Sequence, residues 1–194
     1  MASVLDYLIG RGRPFLVLPE TGAGTVREAA TAQGIDLAEA IRTEVVITST
    51  GPALMLVRAA EYLDLRLARG AVNDPAARLA THAEIRTFAP ACELAAVPPL
   101  SLLLRAPMYV DPAVAQMKQV VFAAGRPSVL VCMEREDLFR DDPYVVVPLT
   151  RSSAASAPEP TPPPPSRRAI LADDELVPIH LLEQRRAGRP ADVA

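Results

Sequence analysis

The chain has 194 residues, half of them hydrophobic and 22% charged, with a net charge of −3 and an isoelectric point near 5.5. That apolar share excludes a wholly disordered chain and predicts one folded domain, since domains usually run to about 100–200 residues. Without a basic surplus, an extended grip on nucleic acid is not expected, although contact with one end of a strand stays open. Aromatics make up 4% and Trp is absent, so the core must be built from Ala, Val, Leu and Ile.

Taken in order, VLDYLIG predicts a first helix ending at Gly10–Gly12, and PFLVL (14–18) a short buried strand. Thr25 with Glu28 is a capping-box pattern opening a helix that runs to Gly34, and Asp36 with Glu39 repeats the signal for a shorter helix. TEVVIT (43–48), a Gly51–Pro52 turn and ALMLVR (53–58) predict a β-hairpin. Thr81 and Glu84 form another capping box, which puts His82 in the first turn of a surface helix. MYV (108–110), QVVFAA (119–124), a turn at Gly125, SVLVCM (128–133) and PYVVVPL (143–149) supply further strands, with a helical turn at EDLFR (136–140). The pattern predicts a mixed α/β (α+β) fold, with helices inserted between the hairpins of a curved, largely antiparallel sheet.

Composition changes after Thr150. Residues 151–168 hold six prolines among small polar residues, which predicts an extended linker with no core. Residues 169–194 read as a flexible tail, in which the apolar cluster around Pro178 is a possible docking segment for a protein partner. The domain is therefore expected at 1–150. The apolar run from Leu94 to Leu104 is broken by Pro98 and Pro99 and is too short to span a membrane, so no membrane contact is expected. No secretory signal is read, two cysteines make no disulfide framework, and the expected location is the cytoplasm.

Few residues announce chemistry. There is no phosphate-binding loop, no G-x-S-x-G and no full G-x-G-x-x-G. His82 and His180 have no ligands in spacing, so neither metal nor other cofactor is expected. Cys132 sits in an apolar strand pattern and reads as core. The basic residues are 19 arginines and one lysine, Lys118.

The order of segments carries more. GRGRPFLVLPE, TVREAATAQGIDLAEAIRTEVVITSTGPALMLVRAAEYLDL, APACELAAVPPLSLLLRAPMYVDPAV and the later AAG together resemble the YbaK and prolyl-tRNA-synthetase-associated editing domains over about residues 3–142. The resemblance implies an aminoacyl-tRNA deacylase that hydrolyses the ester of mischarged tRNA in trans, without metal, with the aminoacyl-tRNA 3′ end as partner. It implies Arg42, Ala95 and Asp111 as catalytic positions, and Phe15, Pro99, Leu100, Ser101 and Gly125 as substrate-binding ones. Three departures stand out. Arg42 occupies the place of a family lysine that contacts the tRNA terminus, and Ala95 and Ser101 replace the two glycines of the family's G-x-x-x-P-x-G loop. Arg keeps the charge but not the geometry of Lys. The alternative reading is a catalytically silent paralogue that binds a nucleotide, an aminoacyl ester or a protein.

Overall fold

The computed structural model describes residues 3–93 and 95–151, together with the backbone of two strands at 168–170 and 176–178. Most of the proline-rich linker expected at 151–168 and most of the tail expected at 169–194 lie outside the described residues.

The mixed α/β fold is present, with its strands divided between two sheets. One sheet has the order β10-β9-β1-β7-β6: β1 is Leu16–Val17, β6 Gln119–Ala123, β7 Leu130–Glu134, β9 Arg168–Ile170 and β10 Leu176–Pro178. All its pairings are antiparallel. The other has the order β4-β2-β3-β5-β8: β2 is Ile41–Thr48, β3 Gly51–Arg58, β4 Arg78–Leu79, β5 Met108–Val110 and β8 Val145–Val146. Here β2–β3 and β2–β4 are antiparallel, while β3–β5 and β5–β8 are parallel. A single parallel bridge between Ala40 and Val121 joins the sheets just before β2.

Side-chain alternation explains how so few aromatics make a core. In β3, Leu54 and Leu56 face the main cluster with Ile41, Leu100, Met108 and Phe122, while Ala53, Met55 and Val57 face a second cluster with Leu149. Both faces of the strand are covered, which is why its sequence reads as a continuous apolar run. A third cluster packs helix α2 (Val26–Ala32) on β1, β6 and β7, and also takes in Ala40, Ala59 and Ala96.

Most expected elements are found, with local differences. The first helix, α1 (Val4–Gly10), is closed at its start by a Ser3–Asp6 capping box. Thr25 caps α2 through the Glu28 N–H, but the Glu28 carboxylate accepts from the Gly24 N–H rather than from the cap residue. The helix expected after Asp36 is a turn. The Asp36 side chain accepts from the Ala38 N–H, the Asp36 carbonyl takes Glu39 and Ala40, and the chain then enters the inter-sheet bridge. The hairpin turns at Ser49–Thr50, not at Gly51–Pro52, because Thr48 pairs with Gly51 and Ile47 with Pro52. Pro52 is tolerated there because it precedes the residues of β3 that pair with β5. Helix α3 (Leu65–Ala71) adds an element with no strong sequence signal, and α4 (His82–Phe88) starts at the expected Thr81–Glu84 box with His82 exposed. The short helices α5 (Ser101–Leu104), α6 (Pro112–Ala115) and α7 (Arg135–Phe139) complete the described set.

A buried ion pair ties the ends of the domain together. The Arg13 and Asp142 side chains are wholly buried and meet at 2.7 Å. The other Asp142 oxygen accepts from the Ser101 hydroxyl at 2.9 Å and the Leu102 N–H at 2.8 Å. Removing one member of a buried pair strands the other charge, so Asp142→Ala should cost about 3–5 kcal/mol in urea unfolding. A loss under 1 kcal/mol would show that the pair is not held this way.

Candidate functional site

The site is built where two loops meet. Residues 89–100, between α4 and α5, lie against the Gly125 turn between β6 and β7: the Glu93 N–H donates to the Gly125 carbonyl at 2.7 Å. Gly125 is buried at φ +87°, and a Cβ there would sit 3.4 Å from the Ala91 carbonyl oxygen, so turn conformation and close approach both favour glycine. Ala96, next to Ala95, packs with Ala40 and Ala59, which flank the start of β2 and the end of β3. The Ala95 loop and the Arg42 region thus adjoin one hydrophobic cluster.

Ala95 is exposed and adopts φ +61°, one of three non-glycine residues with positive φ among those described. Alanine pays for that left-handed conformation with a clash between Cβ and backbone. Glycine, with no Cβ, would take this backbone without that clash. Inside the loop, Ala96 donates to the Glu93 carbonyl and Leu100 to the Pro98 carbonyl. The Ala95 and Val97 N–H groups find no acceptor among the described residues.

Phe15 and Leu100 lie in the main hydrophobic cluster, and Pro99 and Ser101 are buried. The Ser101 hydroxyl is committed to Asp142. These four shape the loop from behind, while Ala95 is the exposed member of the motif. Cys92 lies beside Gly125, and burial pushes its thiol pKa up, which disfavours the thiolate a nucleophile needs.

Arg42, the second residue of β2, is a quarter exposed and is held on two sides. Its Nη1 pairs with Glu44 at 2.9 Å, and its Nη2 donates to the Glu61 carbonyl at 2.8 Å. Its guanidinium carbon stands 5.2 Å from the centroid of the Tyr62 ring, and Arg27, on α2, stands at the same distance from that ring. Sequence reasoning missed Arg27 and Tyr62; a lone exposed Tyr in a loop offers no motif.

Asp111 is 4% exposed, and its carboxylate is surrounded by donors. One oxygen caps α6 through the Ala113 N–H at 2.9 Å, and the other accepts from the Leu149 N–H, the Thr150 N–H and the Thr150 hydroxyl at 2.9, 3.1 and 3.2 Å. The Thr150 hydroxyl also lies 3.5 Å from Glu61, which pairs with Arg58 at 2.7 Å. Asp111 is therefore joined to the Arg42 region through Thr150 and Glu61. Beside this region a cleft of about 480 Å³ is lined by Glu61, Tyr62, Leu63, Asp64, Leu65 and Arg151. No group of three or more His, Cys, Asp or Glu residues able to hold a metal occurs among the described residues.

Two sheets joined at one bridge, with a glycine-type loop on a glycine turn beside an arginine-bearing strand, define an editing-domain fold. The aminoacyl-tRNA editing domain profile matches residues 20–140, and the chain belongs to that family, the YbaK and prolyl-tRNA-synthetase-associated group. A solved candidate trans-editing enzyme for prolyl-tRNA synthetase is similar at 28% identity and TM-score 0.65, over 75% of this chain and 92% of that one. A hypothetical protein shares the fold at 22% identity and TM-score 0.68, over 76% of this chain and 99% of that one. So does a scaffold used for computational epitope grafting, at 24% identity and TM-score 0.66, over 77% of this chain and 95% of that one. No curated protein matches the chain in sequence.

Two substitutions test the loop. Relief of the left-handed alanine, worth about 1–3 kcal/mol, outweighs the roughly 0.5–1 kcal/mol of extra chain entropy that glycine must lose. Ala95→Gly should therefore raise the melting temperature by about 2–4 °C, the shift expected for about 1 kcal/mol in a domain of this size. Ser101→Gly should instead lower stability by about 2 kcal/mol, because a buried hydrogen bond to a charged acceptor is lost. A destabilised Ala95→Gly protein would mean that the methyl group is needed where it stands.

Proposed function

We propose that the protein is a trans-acting aminoacyl-tRNA deacylase that hydrolyses the ester of mischarged tRNA in the cytoplasm. The observation that carries this reading is the left-handed Ala95 in a loop braced by the Gly125 turn, with two backbone N–H groups that find no acceptor among the described residues. Ester hydrolysis needs a placed water and donors where negative charge develops on the carbonyl oxygen. In this reading the Ala95 and Val97 N–H groups are those donors. Water oxygen bonds to the carbonyl carbon, the bond to the ribose oxygen breaks, and the proton ends on the ribose hydroxyl.

Arg42 supplies positive charge at the rim of the site, in the place of the family lysine. Glu44 and the Glu61 carbonyl fix its orientation, so it acts as an oriented fork rather than as a mobile point charge. Asp111, spent on backbone donors, works by fixing the 149–151 segment against Glu61. Pro99, Leu100, Ser101 and Phe15 set the loop's shape, and Gly125 lets it close. The methyl of Ala95 narrows the space beside the ester and favours a small aminoacyl group.

The deciding experiment is deacylation of a panel of mischarged tRNAs by the full chain. Hydrolysis is expected for small aminoacyl groups, and Arg42→Ala should lower kcat/KM by about tenfold, as for loss of one charge-assisted contact. A folded protein inactive across the whole panel would overturn the enzyme reading in favour of a binding module.

A further inference from the structure

Strand β1 is two residues long, yet it stands between two neighbours. On one side Leu16 and Val17 face Cys132 and Val131 of β7, and the Leu18 N–H donates to the Leu130 carbonyl at 2.9 Å. Successive residues of a strand turn their N–H and C=O groups to opposite sides, so those of Val17 point away from β7. On that side Val17 meets Ile170 of β9. Leu176, Val177 and Pro178 of β10 then pair with Ile170, Ala169 and Arg168.

An open strand edge presents unpaired backbone groups that template another strand. A two-stranded hairpin, in turn, is marginally stable at best in water and gains stability by joining a sheet. Each therefore supplies what the other lacks. Chain length names the occupant. Sixteen residues, 152–167, separate Arg151 from β9. A proline-rich stretch of that length reaches about 50 Å, against a radius of gyration of roughly 15 Å for a domain of about 150 residues. The tether thus spans the domain, and docking through it acts at an effective concentration on the order of millimolar, above what a second copy offers in dilute solution.

The edge also adjoins the candidate site. Just past β1, the Glu20 carboxylate accepts from the Ser128 hydroxyl at 3.0 Å and pairs with Arg126 at 2.9 Å. Arg126 lies 3.5 Å from the carboxylate of Glu93, whose N–H is held by Gly125. The end of β1 is therefore tied to both loops that make the site.

We propose that the outer edge of β1 is a strand-docking surface for the chain's own β9–β10 hairpin, which acts as a strap closing this sheet beside the candidate site. The strap lies past residue 140, where the editing-domain match ends, and it stands apart from the deacylase reading.

The test is amide hydrogen exchange of the full chain, read residue by residue by NMR. In the parent the Val17 amide should be protected. Ile170→Pro removes the donor that faces the Val17 carbonyl and opposes the strand, so Val17 should exchange at least about tenfold faster. Leu18, bonded to Leu130, should change less than about twofold, which shows that the variant is folded. Ile170→Val keeps the backbone donor and should leave Val17 protected. An unprotected Val17 in the parent, or equal protection in parent and Ile170→Pro, would overturn the strap. So would recovery of Val17 protection when labelled Ile170→Pro protein is mixed with excess unlabelled parent, because the strand would then come from a second copy.

Discussion

Arg13 and Asp142 meet 2.7 Å apart with both side chains out of solvent, 129 residues apart in sequence. Burying two charges costs several kcal/mol per ion unless geometry and further hydrogen bonds offset it. Here they do. Asp142 accepts from Arg13, Ser101 and the Leu102 N–H, and Arg13 also donates to the Leu138 carbonyl at 2.8 Å. Strand entry, motif helix and domain end are thereby registered to one another. The motif loop ends at a fixed point because α5 begins on this carboxylate.

Asp111 performs a similar task on the other side of the site. It caps α6 and also gathers the backbone of Leu149 and Thr150, while Leu149 is fully buried under β3. Thr150 then reaches Glu61, whose carbonyl holds Arg42. The arginine at the rim is thus supported by a chain of polar contacts that ends in a buried carboxylate. Two buried acids, each far in sequence from what they hold, place loops that local propensity would leave free.

Three residues of this region each have a definite physical role. The Ser101 hydroxyl is not idle, since it completes the Asp142 shell. Ala95 holds a left-handed backbone at a cost in strain. Arg42 brings a planar fork that can stack on Tyr62, which an ammonium point charge does less well.

Much of this was written in the chain itself. The Ser3, Thr25 and Thr81 caps, the β2–β3 hairpin, the β6–β7 pair and the glycine turn at 125 follow from side-chain chemistry acting over a few residues. The family followed from the order of those segments and the AAVPPLS loop. The hairpin's turn shifted to Ser49–Thr50 because pairing along eight residues of β2 outweighs the local preference of Gly51–Pro52. The helix expected after Asp36 gave way to a turn because Ala40 must meet Val121. What only the tertiary structure decided is which charges meet: Asp142 with Arg13 and Ser101, Asp111 with Thr150, Arg27 with Tyr62. Such contacts join residues 35 to 129 positions apart. No local pattern encodes them, because their energy appears only when packing removes water from around both partners.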